Sequence, residues 1–258
     1  LLDQELMKIK RKFEGKEEFF MINGALLLEK QISSCEGKGI AIRIFTAEEL
    51  NKATNNYDTS LIHSRLQSTV YKGNLHGRIV AVKTPEQLQV SSFMTNFYLN
   101  QAVTQIQINH KHVVKLLGCC LETEIPILVQ EFIPNGSLLD HITSNTVPIS
   151  WSERLRIATQ IADAVTYIHC VNSNPIIHRD IRPNNILFDE NYDPKLSNFG
   201  FSVVIPPGKT DHSKVGTEER AQSLAYATLA LKCVQFKGEE RPTMMEIAKE
   251  LRRIKCII

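Results

Sequence analysis

Apolar and polar positions change their rhythm along this chain. Residues 1–20 are rich in Lys and Glu, with Leu2, Leu6, Ile9 and Phe13 at helical intervals. That spacing predicts a short amphipathic helix or a partly ordered arm. Ser33 to Gly39 read as a linker. Thr46, with Glu49 three residues later and Leu50 and Ala53 beyond, predicts a capping box and a helix. The rhythm then turns β-like. Residues 69–72 and 78–83 are β-rich and flank Gly73-Asn74-Leu75-His76-Gly77, a glycine-bounded turn. Residues 93–108 predict a helix, and Val113–Cys120 and Pro126–Phe132 predict two more strands. Pro134-Asn135-Gly136-Ser137 breaks the chain as a candidate connection between two lobes.

Beyond the break the period is helical. Ser150 and Glu153 predict a second capping box. Trp151, Leu155, Ala158, Ile161, Ala162, Val165 and Ile168 predict one apolar face. A loop over 178–185 precedes a short strand pair at 186–188 and 194–196. Two further helical patterns follow over 220–255, with Arg241-Pro242 between them. Strands followed by helices predict an α+β fold, with a β-rich lobe and a mainly helical lobe. The expected organisation is an N-terminal extension and linker over 1–43, an N-lobe over 44–133 and a C-lobe over 134–258.

Composition narrows the class only a little. At 258 residues, 43% hydrophobic and 22% charged, the chain can bury a sizeable core. A net charge of +2 gives no reason to expect a nucleic-acid partner. The spacing of six cysteines, Cys35, Cys119, Cys120, Cys170, Cys233 and Cys256, makes neither a zinc set nor a disulfide framework. A reduced, cytoplasmic protein is the expectation, reaching the plasma membrane, if at all, through partners. No apolar run is long enough to span a bilayer. The chain starts at Leu1, not Met, so a signal upstream is left open.

Separated motifs occur in one order. They are Val80-Ala81-Val82-Lys83, residues 114–122 with 128–132, Ile177-His178-Arg179-Asp180 running on to Asn185-Ile186-Leu187, Asn198-Phe199-Gly200, and residues 238–244 around Arg241-Pro242. In order and spacing they resemble plant receptor-like and wall-associated-type protein kinases, over roughly residues 44–255. The resemblance implies a bilobal kinase-like fold. It also implies roles for single positions. Lys83 would contact the α/β-phosphates of ATP, Asp180 would orient a substrate hydroxyl, and Asn185 would ligate Mg²⁺. Arg182 stands where that loop usually has lysine; it keeps the charge as a planar fork.

Other positions depart from the pattern. The phosphate-covering glycines fall at His63, Arg65 and Ser68, and none is glycine. Only a backbone without side chains approaches phosphates that closely. Arg65 could still reach a phosphate, but a strand turn without a ligand is the favoured reading. The helix glutamate that pairs with the lysine falls at Gln101, which can hydrogen-bond but not form an ion pair. Asn198 stands in place of the aspartate that holds the metal, eighteen residues after Asp180. Loss of one preorganised electrostatic contact of this kind costs on the order of 3–4 kcal/mol. Asp180, Lys83 and Asn185 are therefore read as remnants, with no intact catalytic set and no metal. No cofactor is required; ATP binding stays open but is not the expectation.

After Val215-Gly216-Thr217 the chain passes through Glu218-Glu219 to Arg220, which already resembles the penultimate helices of a kinase. The central helix of the helical lobe has no counterpart between 219 and 220. Either residues are left out of the sequence there, which is the favoured reading, or the protein truly lacks them.

Four stretches resemble a particular plant group, the pseudokinases related to the HopZ-effector-triggered-immunity-deficient protein, called ZED-related kinases. These are Phe20-Met21-Ile22-Asn23-Gly24, Ala53-Thr54-Asn55-Asn56-Tyr57, residues 163–169 and residues 202–209. That resemblance implies an adaptor in plant immunity. Its partners would be a nucleotide-binding leucine-rich-repeat receptor and a receptor-like cytoplasmic kinase modified by a bacterial effector. Lys209 and Lys214, in an activation-type segment over 201–219, are the candidate contacts to the modified kinase. Two alternatives remain: a weak Ser/Thr kinase using Asp180, Lys83 and Asn185, and a regulatory pseudokinase that binds ATP.

Overall fold

β-branched runs joined by a tight turn build the sheet that carries most of the site. Strands β1 (Ile62–Arg65), β2 (Thr69–Leu75) and β3 (Arg78–Thr84) pair antiparallel in sequence order. The turn is shorter than the sequence suggests. β2 runs on to Leu75, which pairs with Arg78, leaving only His76 and Gly77 at the corner. Both have positive φ (52° and 83°), as a two-residue hairpin with right-handed strand twist requires. The Gly77 N–H donates to Asn74 Oδ1 at 2.9 Å. Gly73 is instead an in-strand position: a Cβ there would lie 3.1 Å from a Val82 methyl.

The structure, a computed structural model, describes residues 2–34, 40–65, 68–86, 91–144, 149–170 and 174–205. Lys209, Lys214 and the helical patterns over 220–255 lie outside the described residues.

Strand β4 (Leu116–Cys120) and strand β5 (Ile127–Glu131) complete a five-stranded sheet in the order β1-β2-β3-β5-β4. Helix α2 (Ala47–Ala53) packs on β2 through buried Leu50. It carries the predicted capping box: Thr46 Oγ1 accepts from the Glu49 N–H, and Glu49 Oε2 accepts from the Thr46 N–H. Helix α3 (Ser92–Gln105) covers the other face, burying Tyr98, Leu99, Ala102 and Val103 against Leu116, Cys119 and Leu128.

Helix α1 (Leu2–Ser34) is far longer than the predicted arm and runs into the predicted linker. The physical reason is tertiary. Leu27 is buried in the α3 cluster, and Asn23, 1% exposed, donates to Leu121 O and Thr123 O. These contacts reward residues that a polar, Lys- and Glu-rich pattern alone would leave marginal.

In the second lobe, Ser137 caps helix α4 (Leu138–Thr143) through a box with Asp140. Helix α5 (Trp151–Cys170) follows. Its box is half formed: the Glu153 N–H donates to Ser150 Oγ, while the Glu153 carboxylate pairs with Arg156. Its buried face is also rotated from the expected one. Ile157, Ile161, Ala164 and Ile168 are buried, whereas Leu155, Ala158 and Ala162 are exposed. The cause is what α5 packs against: Ile176, Ile186, Phe188, Leu196 and Phe199 all meet that stripe. Short strands lie here, among them β6 (Ile176–Ile177), β7 (Ile186–Phe188) and β8 (Pro194–Leu196). β7 pairs with β8, and β6 pairs with β9 (Val203–Val204). A β-rich lobe followed by helical elements is the α+β architecture expected of the sequence.

Candidate functional site

β3 delivers Lys83 to the floor of a cleft of about 390 Å³ between the lobes. The strand is buried from Val80 to Lys83, and Lys83 as a whole is 7% exposed. It donates to two neutral amides: Gln101 Oε1 on α3 at 3.0 Å and Asn198 Oδ1 at 3.0 Å. The rings of Phe97 and Tyr98 lie 5.8 and 5.7 Å from Nζ and add a weak cation–π attraction. Burial pushes the Lys83 ammonium down to about 7, against the pull of the Asp180 carboxylate.

The amides continue behind the lysine. Gln101 Nε2 donates to Gln105 Oε1 at 3.3 Å, and Gln130 Nε2 donates to the same oxygen at 2.7 Å. Gln105 Nε2 in turn donates to the Val114 carbonyl. Gln101, Gln105 and Gln130 are all buried.

On the opposite side, Asn198 sits at φ 67°, ψ 65°, a left-handed conformation that asparagine tolerates better than most residues. Its Nδ2 donates to Asp180 Oδ2 at 3.2 Å. Asn185 Nδ2 donates to the same carboxylate oxygen and to the Asp180 carbonyl, both at 2.8 Å. Arg182 Nε lies 3.1 Å from Asp180 Oδ1, an ion pair whose N–H is not aligned for a hydrogen bond. Lys83, Gln101, Asn198, Asp180 and Asn185 therefore form one continuous hydrogen-bonded chain, with Arg182 at its end.

The turn that carries Asn198 is anchored on all sides. Phe199 is fully buried, with its ring 4.6 Å from that of His178. Burial holds the His178 imidazole below its ordinary pKa, and its Nε2 meets the Ser197 carbonyl at 2.9 Å. Asn100 on α3 donates to Gly200 O at 3.0 Å and Ser202 O at 2.8 Å. Gly200 is needed because a Cβ would fall 2.2 Å from the Phe97 ring.

The three positions that replace the glycines all border the cleft. His63 and Arg65 are on exposed stretches of β1, and Ser68 is buried just before β2. The His63 ring packs edge-on against Phe132 at 4.8 Å, and burial lowers its pKa. Arg65 is not drawn into the hydrogen-bonded chain.

The sequence reading passed over Gln105, Gln130 and Asn100. Two signals were present. Gln101 and Gln105 stand four apart on one helix face, and Gln130 interrupts the apolar run Ile127-Leu128-Val129. Nothing in sequence marks Asn100, whose partners lie a hundred residues away.

Comparison with known proteins now adds to this geometry. Residues 66–222, more than half of the chain, match the protein kinase domain family. The chain belongs to that family. Among its relatives, the wall-associated receptor kinase-like 1 of Arabidopsis thaliana is 35% identical over 329 residues, covering 97% of this chain and 45% of the relative. Wall-associated receptor kinase-like 6 of the same plant is 44% identical over 212 residues, covering 80% and 33%. Wall-associated receptor kinase 1 is 42% identical over 212 residues, covering 81% and 29%. This kinase domain is thus of the plant receptor-like type, and the chain spans less than half the length of these relatives. The first match takes in 329 residues against 258 in the whole chain, so that relative holds residues without a counterpart here. Among the described residues, no helix is long and apolar enough to cross a membrane.

Proposed function

We propose that this kinase domain is a catalytically impaired pseudokinase that acts as an adaptor in plant immunity. The observation that carries the reading is the chain Lys83–Asn198–Asp180. Phosphoryl transfer in this fold family relies on a divalent metal held by an aspartate and an asparagine. Here Asn198 spends its oxygen on Lys83 and its amide N–H on Asp180. Asp180 in turn has Oδ2 filled by two amide donors and Oδ1 against Arg182. The positions that would hold the metal are Asn185 and Asn198, two neutral amides whose side chains are already committed to Asp180 and Lys83; such a pair does not fit a divalent cation.

The cleft supports the same reading at its other end. His63, Arg65 and Ser68 border the cleft at the glycine positions, where a phosphate-covering loop has no side chains. The adaptor role, and its partners, follow from the resemblance to the ZED-related kinases. One partner is a nucleotide-binding leucine-rich-repeat immune receptor. The other is a receptor-like cytoplasmic kinase modified by a bacterial effector, engaged through the segment that includes Lys209 and Lys214. Such work needs a stable scaffold and a responsive segment rather than turnover. It would take place in the cytoplasm.

Transfer of γ-phosphate, measured with Mg²⁺ and with Mn²⁺, tests the proposal. No transfer above that of Asp180→Ala is expected. Autophosphorylation that Asp180→Ala abolishes would overturn the impaired reading in favour of a weak Ser/Thr kinase. Co-purification with candidate immune receptors, lost in a Lys209→Glu, Lys214→Glu variant only when the modified kinase is needed, tests the adaptor role.

A further inference from the structure

We infer that α1 is a brace between the two lobes, which holds α3 and the 178–185 side of the cleft in their assembled positions. Three contacts on one helix carry this. At its middle, Asn23 is buried and donates to two carbonyls of the loop between β4 and β5, Leu121 O at 3.1 Å and Thr123 O at 2.8 Å. One turn further on, Leu27 enters the cluster formed by Tyr98, Leu99, Ala102 and Val103 of α3. At its end, Ser34 O accepts from Nδ2 of Asn174, a buried residue of the second lobe, at 3.3 Å.

Asn23 and Ser34 are eleven residues apart, so about 16 Å of helix at 1.5 Å per residue separates the two anchor points. A helix resists bending over so short a span. Relative rotation of the lobes must therefore break one of the anchors. A buried asparagine with two carbonyl partners also sets the helix register, because sliding by one residue would strand its amide.

The same helix controls the cleft through α3. The face of α3 that receives Leu27 adjoins the face that presents Gln101 to Lys83, and Asn100 to Gly200 and Ser202. Where a lysine–glutamate ion pair is absent, the Lys83–Gln101 hydrogen bond carries charge only at its donor and is weaker than one charged at both ends. Packing from behind makes up the difference. This inference does not depend on whether the cleft transfers phosphate, so it and the function proposed above can fail separately.

Hydrogen exchange on the full chain tests it. Asn23→Ala with Leu27→Ala should speed exchange at least tenfold in α3 and in residues 178–185. Met21→Ala, on the exposed face of the same helix, should leave both at wild-type rates. Release of α1 amides with α3 and 178–185 unchanged would overturn the brace. If the double variant loses its cooperative melt, Asn174→Ala decides alone. It cuts only the second-lobe anchor, so faster exchange in α3, which Asn174 does not touch, supports the brace, and wild-type rates there overturn it.

Discussion

The two walls of the cleft solve the same burial problem in different ways. The wall from β3, α3 and β5 buries one cation among neutral amides: Lys83 with Gln101, Gln105 and Gln130. The wall from the 178–185 loop keeps opposite charges, with Asp180 against Arg182 and the amides of Asn185 and Asn198 donating to the other carboxylate oxygen. Removing charges from water is costly, and a charge pair repays that only with good geometry. Amides cost less to bury, but each donor and acceptor must be met. The comparison teaches where each wall is fragile: the first in its hydrogen-bond count, the second in its charge balance. Asn198 joins them, with one amide atom on each.

The largest effect should come from the amide wall. Gln105→Leu strands the amides of Gln101 and Gln130 and the Val114 carbonyl in a dry interior. At about 1–3 kcal/mol for each unsatisfied buried group, urea unfolding should show a loss of about 3 kcal/mol or more. A loss under about 1 kcal/mol would mean the network is not what holds that wall.

Asn198→Asp breaks the junction instead. A carboxylate there would face Asp180 Oδ2, now 3.2 Å from the Asn198 amide. Like-charge repulsion, partly offset by Lys83, should cost about 1–2 kcal/mol without metal. The variant, unlike the wild type, should gain thermal stability on adding Mg²⁺ or Mn²⁺. Equal metal responses of the two proteins would count against the fit argument for the site.

Lys83→Met isolates the buried cation. The folded-state value of Lys83 is about 7, below the 10.5 of an unperturbed lysine. Between these values the unfolded chain binds the proton and the folded chain does not. Stability from this group therefore rises with pH above about 7, with a slope approaching about 1.4 kcal/mol per pH unit. Urea unfolding at pH 7 to 9 should show that slope as the difference between wild type and Lys83→Met. The range stops at 9 because above it the thiols and tyrosines of the unfolded chain ionise while buried Cys119, Cys120 and Tyr57, raised by burial, stay protonated, which opposes the Lys83 slope.

The smallest effect belongs to Arg182→Ala. The arginine side chain is 38% exposed, and solvent screens its pair with Asp180. Unfolding should change by less than about 1 kcal/mol. A larger loss would show that the two walls are more alike than their exposure suggests.

Particular residues show how much of this was legible. Thr46 with Glu49, the strands around Lys83 and the pair at 186–188 and 194–196 were readable, since each rests on near neighbours in the chain. The face of α5 is not legible because a helical stripe can be drawn through Leu155 or through Ile157 with similar spacing, and only the packing partner chooses. The length of α1 is not legible because a polar helix is stabilised by Leu27 and Asn23, which meet residues about seventy to a hundred positions away.

By itself, then, the sequence determined the order of the lobes and the chemical type at each site position: lysine at 83, glutamine at 101, aspartate at 180, asparagine at 185 and 198. Those are properties of composition and spacing, and they survive without coordinates. Only the tertiary structure decided what the amides do. An asparagine side chain carries a donor and an acceptor, and its role depends on which neighbour each end meets. For Asn198 the acceptor meets a lysine 115 residues earlier and the donor meets Asp180. No local pattern encodes that pairing, because it exists only when two lobes close on one another.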